Sequence, residues 1–166
     1  MNLPEIIKEK KRVSEIITQK YNFSKNKTLG YISLDSNIIN DDFLNGLSVL
    51  PANFIINSKT LTDSKHKNIT FSDKPVADVV GLDFILCDDC ESNMSTYFTA
   101  GVSPVVSRNN VVANLLSEFN PGKVTGNAYI FENDTKWEIY YALVRYLENF
   151  KFPYDNKALI KNVLEI

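Results

Sequence analysis

Apolar residues recur at helical spacing through EIIKEKKRVSEIITQK, residues 5–20, where Ile6, Val13, Ile16 and Ile17 share one side. Pro4 suits the first turn of that helix. The pattern then shortens. TLGYISL (28–34), NFIIN (53–57), NITF (68–71), LDFILC (82–87), SPVVS (103–107) and AYIF (128–131) are brief apolar runs of the kind a strand buried on both faces requires. Helical segments fall between and after them. They are predicted at 39–47, capped by Asn40 or Asp41, at 75–81 opened by Pro75, and at 91–101 stopped by Gly101. Further helices are predicted at 110–119, at 134–150 capped by Asp134 or Thr135, and at 156–166 beyond the break at Pro153. In the 134–150 helix, Trp137, Tyr140, Tyr141, Val144, Leu147 and Phe150 form a stripe that reads as core-facing.

Short strands alternating with helices imply βαβ units and a parallel sheet. The expected fold is an α/β, Rossmann-like, doubly wound sheet of about six mainly parallel strands with helices on both faces, in one domain spanning 1–166. Ligands on such sheets bind beyond the carboxyl ends of the strands. Here those ends are 33–36, 57–60, 71–73, 87–93, 107–110 and 131–134.

Composition narrows the function. The chain is 44% hydrophobic and 23% charged, which suffices for a full core, and its formal net charge of −2 offers no nucleic acid or anionic membrane a matching surface. The basic cluster Lys8, Lys10, Lys11 and Arg12 is interrupted by Glu5, Glu9 and Glu15 and reads as a solvated helix face. No apolar run reaches the ~18 residues of a membrane span, and MNLPEIIKEKK lacks the layout of a signal peptide. The expected compartment is the cytoplasm, where the two cysteines need not be paired.

The candidate chemistry concentrates in CDDCESNMSTYFTAGVSPVVSRNN, residues 87–110. C-x-x-C can be a redox pair, but the two intervening aspartates oppose a thiolate. A zinc site needs more ligands than these cysteines and the single histidine, His66, supply. Cys87 also fits a strand-end core residue. Neither G-x-G-x-x-G nor G-x-x-x-x-G-K-[ST] occurs, and no Ser/His/Asp set is suitably spaced. No cofactor, no metal and no catalytic residue is therefore expected.

GVSPVVSRNNVVANLL (101–116) resembles, without a gap, the G-T-x-P-I-V-R-R-T-G-G-L-A-D-T-V segment of glycogen and starch synthases. TGNAYIFENDTKWEIYYALVRYL (125–147) is similar to their T-G-F-x-F-x-x-x-T-x-x-x-L-x-x-A-L segment, and VADVVGLDFIL (76–86) to a helix and strand ending in A-D-F-x-L. KEKKRVSEIITQKYNFSKNKTLGYISL (8–34) resembles their linker helix and first strand, which makes 1–27 a linker-like helix and loop. The resemblance implies the C-terminal, nucleotide-sugar-binding half of a GT-B glycosyltransferase. Its implied partners are ADP- or UDP-glucose, a glucan, and an N-terminal GT-B partner domain.

The family's donor motif E-P-C-G-L-T, counted back from Gly101, places its glutamate on Asp88, its cysteine on Cys90 and its threonine on Asn93. Its glycine becomes Glu91, beside where a diphosphate enters. The donor-binding residues implied by resemblance are Asp88, Asp89, Cys90, Glu91, Asn93, Ser107, Arg108, Asn109 and Asn110. The family's S-R-L-x-x-x-K, which clamps the diphosphate, reads SLDSNII (33–39), so arginine becomes Leu34 and lysine becomes Ile39. Losing one such donor can cost roughly 10²–10³ in rate. The resemblance therefore implies an isolated chain without sugar transfer, or a non-catalytic glycan- or protein-binding module built on that fold. Lys59, in a loop where the family has a G-x-G turn, is the nearest stray positive charge.

Overall fold

The computed structural model describes residues 2–88 and 93–166. Helix α1 (Leu3–Lys20) begins with a capping box: Asn2 Oδ1 accepts the Glu5 N–H, and Glu5 returns the bond to the Asn2 N–H. Six strands follow, β1 (Thr28–Ser33), β2 (Ala52–Asn57), β3 (Ile69–Ser72), β4 (Phe84–Cys87), β5 (Ser103–Ser107) and β6 (Tyr129–Phe131). All pair in parallel, in the order β3-β2-β1-β4-β5-β6. The order reverses between β1 and β4, which makes the ends of those strands the switch point of a doubly wound sheet. The fold class expected from the sequence is the one observed.

Helices α2 (Asp41–Ser48), α3 (Met94–Thr99), α4 (Lys136–Phe150) and α5 (Pro153–Leu164) complete the layers. The caps are local. Asn40 Oδ1 accepts the Phe43 N–H, and Thr135 Oγ1 accepts the Glu138 N–H. Gly101 ends α3 at φ +63°, a conformation that a side chain disfavours.

Expectations about the helices are corrected at three places. Residues 75–81 form no α-helix, only a 3-10 turn at Val79–Gly81, where Gly81 lies too close to Val13, Ile17 and the Ser14 backbone for any side chain. Residues 110–119 form a 3-10 turn at Val111–Leu115 and then run extended, so that Glu118 bridges Ala128. The buried face of α4 is Ile139, Ala142, Leu143, Tyr146 and Leu147, whereas Trp137 and Tyr141 are 70% and 67% exposed. The aromatic stripe misled because aromatic rings outweigh smaller neighbours in any hydrophobic count, while Ala142 and Leu143 fit the close approach to the sheet.

Close packing centres on β1 and β4. A Cβ on Gly30 would sit 2.0 Å from Phe84 Cζ, so the missing side chain lets the Phe84 ring lie across β1. Phe84 also contacts Phe54 (6.3 Å between centroids) and Tyr146 (4.9 Å). At the amino end of β4, Asp83 Oδ2 accepts the Leu29 N–H, and the Asp83 carbonyl accepts the Tyr146 hydroxyl. Lys10, expected on a solvated face, is instead 6% exposed and donates to the Leu82 carbonyl at 2.5 Å.

Two predictions follow from this packing. Gly30→Ala forces the Phe84 ring out of place and lowers the unfolding free energy by about 1–3 kcal/mol, read by urea denaturation. Burial raises the hydroxyl pKa of Tyr31 and Tyr140 to about 12 and raises that of Tyr146 as well. Because unfolded tyrosines ionise near pH ~10, this stabilisation is full below that pH and is lost as pH rises toward 12. Lys10, depressed to about 8 by burial, acts in the opposite sense: the cost of burying its charge is relieved between pH 8 and its unfolded value of ~10.4. The thermal midpoint should therefore drop steeply above pH ~10.5, read by circular dichroism.

Candidate functional site

The carboxyl ends of β1, β4, β5 and β6 surround an open hollow of about 480 Å³, lined by Asp35, Ile38, Asp88, Asn109 and Asp134. Backbone geometry fixes its floor. The Asp35 N–H donates to Asp88 Oδ2 at 2.7 Å, tying the turn after β1 to the turn after β4. Asp35 Oδ1 accepts the Asn37 N–H in an Asx turn. Asn110, 5% exposed, reaches across from the end of β5: its Nδ2 donates to the Asp88 carbonyl at 3.1 Å, and its Oδ1 accepts the Val112 N–H. Ser107 Oγ accepts the Asn109 N–H, holding Asn109 at the rim.

On the far side the loop after β6 is organised by Glu138. Its carboxylate accepts the Glu132 and Asn133 N–H groups and Asn133 Nδ2, and these bonds hold its pKa below the usual range. Asp134 is presented from this loop. Glu118 accepts the Ile130 N–H and pairs with Arg145, yet burial still pushes its pKa up. Arg145 in turn lies over the Tyr129 and Tyr141 rings and donates to the Ile130 carbonyl. These contacts fix β6 and α4 as one wall.

The structure brings Asp88 and Asn109 into the hollow, with Ser107 and Asn110 supporting them from behind. Arg108 is not among the lining residues; its guanidinium pairs with Glu132 at 3.2 Å and is half exposed. Asn93 is exposed at the start of α3, and its side chain does not cap that helix. Asp89, Cys90 and Glu91 lie outside the described residues. Cys87 is fully buried at the end of β4, as a strand-end core residue would be, and is disulfide-bonded. Asp35 and Asp134 were not singled out from the sequence. Both stand in strand-end segments, and an acid at such an end was the available signal.

The electrostatics are one-sided. Asp35, Asp88 and Asp134 line the hollow, and no lysine or arginine lines it among the described residues. Leu34 and Ile39, which stand where the resemblance puts the clamping arginine and lysine, are both 9% exposed and belong to the core. Lys59 is exposed and does not line the hollow. The amino end of α2 is taken up by the chain's own acids, Asp41 and Asp42, the latter paired with Lys136. Each carboxylate some 5–6 Å from a bound phosphate opposes it by roughly 1–3 kcal/mol. No group of acidic, histidine or cysteine side chains among the described residues is arranged to hold a metal ion that would offset this. No described helix is long and apolar enough to cross a membrane.

No protein-family model matches the chain, and no curated protein matches it in sequence. Solved structures match it in shape. The catalytic domain of starch synthase IV from Arabidopsis thaliana, bound to ADP and acarbose, superposes with a TM-score of 0.76 at 13% identity, over 100% of this chain and 40% of that one. WaaG, a glycosyltransferase involved in lipopolysaccharide biosynthesis, gives 0.60 at 13% identity, over 92% of this chain and 45% of that one. EarP, which mediates arginine glycosylation of translation elongation factor EF-P, gives 0.56 at 11% identity, over 96% and 64%. The chain thus spans less than two thirds of each.

Asn110→Ala removes the donor to the Asp88 carbonyl and the acceptor for the Val112 N–H. It should cost about 1–3 kcal/mol of stability, read by urea denaturation, and broaden the amide signals of Asp35 and Asp88. At these sequence identities the likeness is one of fold: the chain has the Rossmann-like fold of a GT-B glycosyltransferase domain, such as that of starch synthase IV.

Proposed function

We propose that this chain is a glycosyltransferase-like domain, derived from the nucleotide-sugar half of a GT-B enzyme, that does not transfer sugar by itself and serves as a non-catalytic glycan- or protein-binding module. One observation carries the reading. The hollow at the switch point is lined by Asp35, Asp88 and Asp134, while the positions of the cationic clamp are the buried Leu34 and Ile39. A departing diphosphate needs positive charge where its own negative charge develops. These side chains present the opposite sign.

The contact role has separate support. Trp137, Tyr141, Phe152 and Tyr154 are between 59% and 73% exposed on α4 and the start of α5. Exposed aromatic rings of this kind are the side chains most used at glycan and protein contacts. A second reading keeps the donor role. ADP- or UDP-glucose would then bind this chain at the hollow, and transfer to a glucan acceptor would need an N-terminal GT-B partner domain. The shape shared with a starch synthase domain that binds ADP favours it.

Calorimetric titration with ADP, UDP, ADP-glucose and a maltooligosaccharide separates the two. The expected result is no nucleotide binding at the hollow at millimolar ligand. Nucleotide binding that disappears in Asp88→Ala or Asn109→Ala would overturn the non-catalytic reading and establish a working donor half.

A further inference from the structure

A second cavity lies at the opposite end of the sheet. It occupies about 540 Å³ between α1, the loop before β1, the amino end of β4 and α5. That size is within the ordinary range for small-molecule sites. Its charges are Lys10, Lys11, Lys25 and Lys27 against Glu15 and Asp83. Ile7, Phe150 and Ile160 supply an apolar wall. The sign is the reverse of that in the acidic hollow.

Lys10 makes this more than a patch of surface lysines. It is 6% exposed, yet it lines the cavity. A lysine ammonium carries three donors. One goes to the Leu82 carbonyl, the single hydrogen bond that Lys10 makes among the described residues. Asp83 lies close enough for its charge to act on the ammonium, but its Oδ2 is engaged by the Leu29 N–H. Removal from water weakens the hold of Lys10 on its proton, to about 8, so the buried charge is under-compensated by its protein neighbours. A buried ammonium with spare donors, lysines at the mouth and an apolar wall together describe a receptor for one kind of molecule.

We propose that this amino-end cavity binds a small anion, a phosphate or carboxylate carried on an apolar body, with the anionic group at Lys10 and Lys27 and the body against Ile7, Phe150 and Ile160. The rival explanation is that these lysines only offset the negative ends of the helices that finish at this pole. The proposal is independent of the reading of the acidic hollow.

The test uses phenyl phosphate and phenylacetate as probes, with inorganic phosphate as the bodiless comparison, titrated calorimetrically into the whole chain. Saturable binding of a phenyl probe is expected, about tenfold tighter than inorganic phosphate because the ring finds the apolar wall. Lys27→Ser and Lys25→Ser should each weaken it about fivefold, while Lys59→Ser, the same charge change at the other end of the sheet, should leave it unchanged. Lys10→Met should abolish it. If that variant fails to fold, the two rim variants and Phe150→Ala decide the matter. The absence of saturable binding for both phenyl probes, or equal weakening by Lys59→Ser and Lys27→Ser, would overturn the proposal. Binding of one probe but not the other would identify the anionic group.

Discussion

The residue on which most of this structure converges is Asp83. It stands at the amino end of β4, where the strand order reverses, and its side chain accepts the Leu29 N–H of β1. Its backbone carbonyl receives the Tyr146 hydroxyl from α4 and the Ser103 N–H at the head of β5. Beside it, the Leu82 carbonyl receives Lys10 from α1. One short segment thus ties two central strands to the first helix and to the long fourth one. Burial raises the Asp83 pKa and lowers that of Lys10, so each charge is tolerated because the other is near. Packing of Phe84 over Gly30 begins one residue later, which links this polar anchor directly to the core.

A parallel sheet has two chemically different ends, and here their charges are arranged against habit. Turns after the strands carry Asp35, Asp88 and Asp134, and Leu34 and Ile39, beside the first of these turns, are buried in the core. The other end gathers lysines around a cavity with a buried ammonium at its floor. A fold shared with nucleotide-sugar enzymes does not by itself carry their chemistry, because the chemistry resides in side chains at the strand ends.

Much of the scaffold was legible because strands buried on both faces write continuous apolar runs, and α1, α2 and α4 each open on a capping side chain. Residue type narrowed the caps to Asn40 or Asp41 and to Asp134 or Thr135, of which the structure uses Asn40 and Thr135, and it marked Gly101 as a stop. Segments 75–81 and 110–119 were not readable, since short apolar pieces fit a helix as well as a 3-10 turn followed by an extended chain. The orientation of α4 was missed because the small Ala142 faces the sheet while Trp137 faces out. At the site, Asp88, singled out by counting back from Gly101, and Asn109, singled out in the turn after β5, both line the hollow. Asp35 and Asp134 were not singled out, because only the fold brings the four loops together. Lys10 was read as surface because its sequence neighbours are charged; its burial comes from a contact with Leu82, far away in the chain.

The most direct measurement is a nitrogen–proton correlation spectrum of the labelled chain as ADP is added to millimolar concentration. If the acidic hollow excludes diphosphates, the amides of Asp35, Asn37, Asp88, Asn109 and Asn110 keep their positions throughout. Saturable shifts concentrated on those residues would contradict the exclusion and would make this end of the sheet a working nucleotide site.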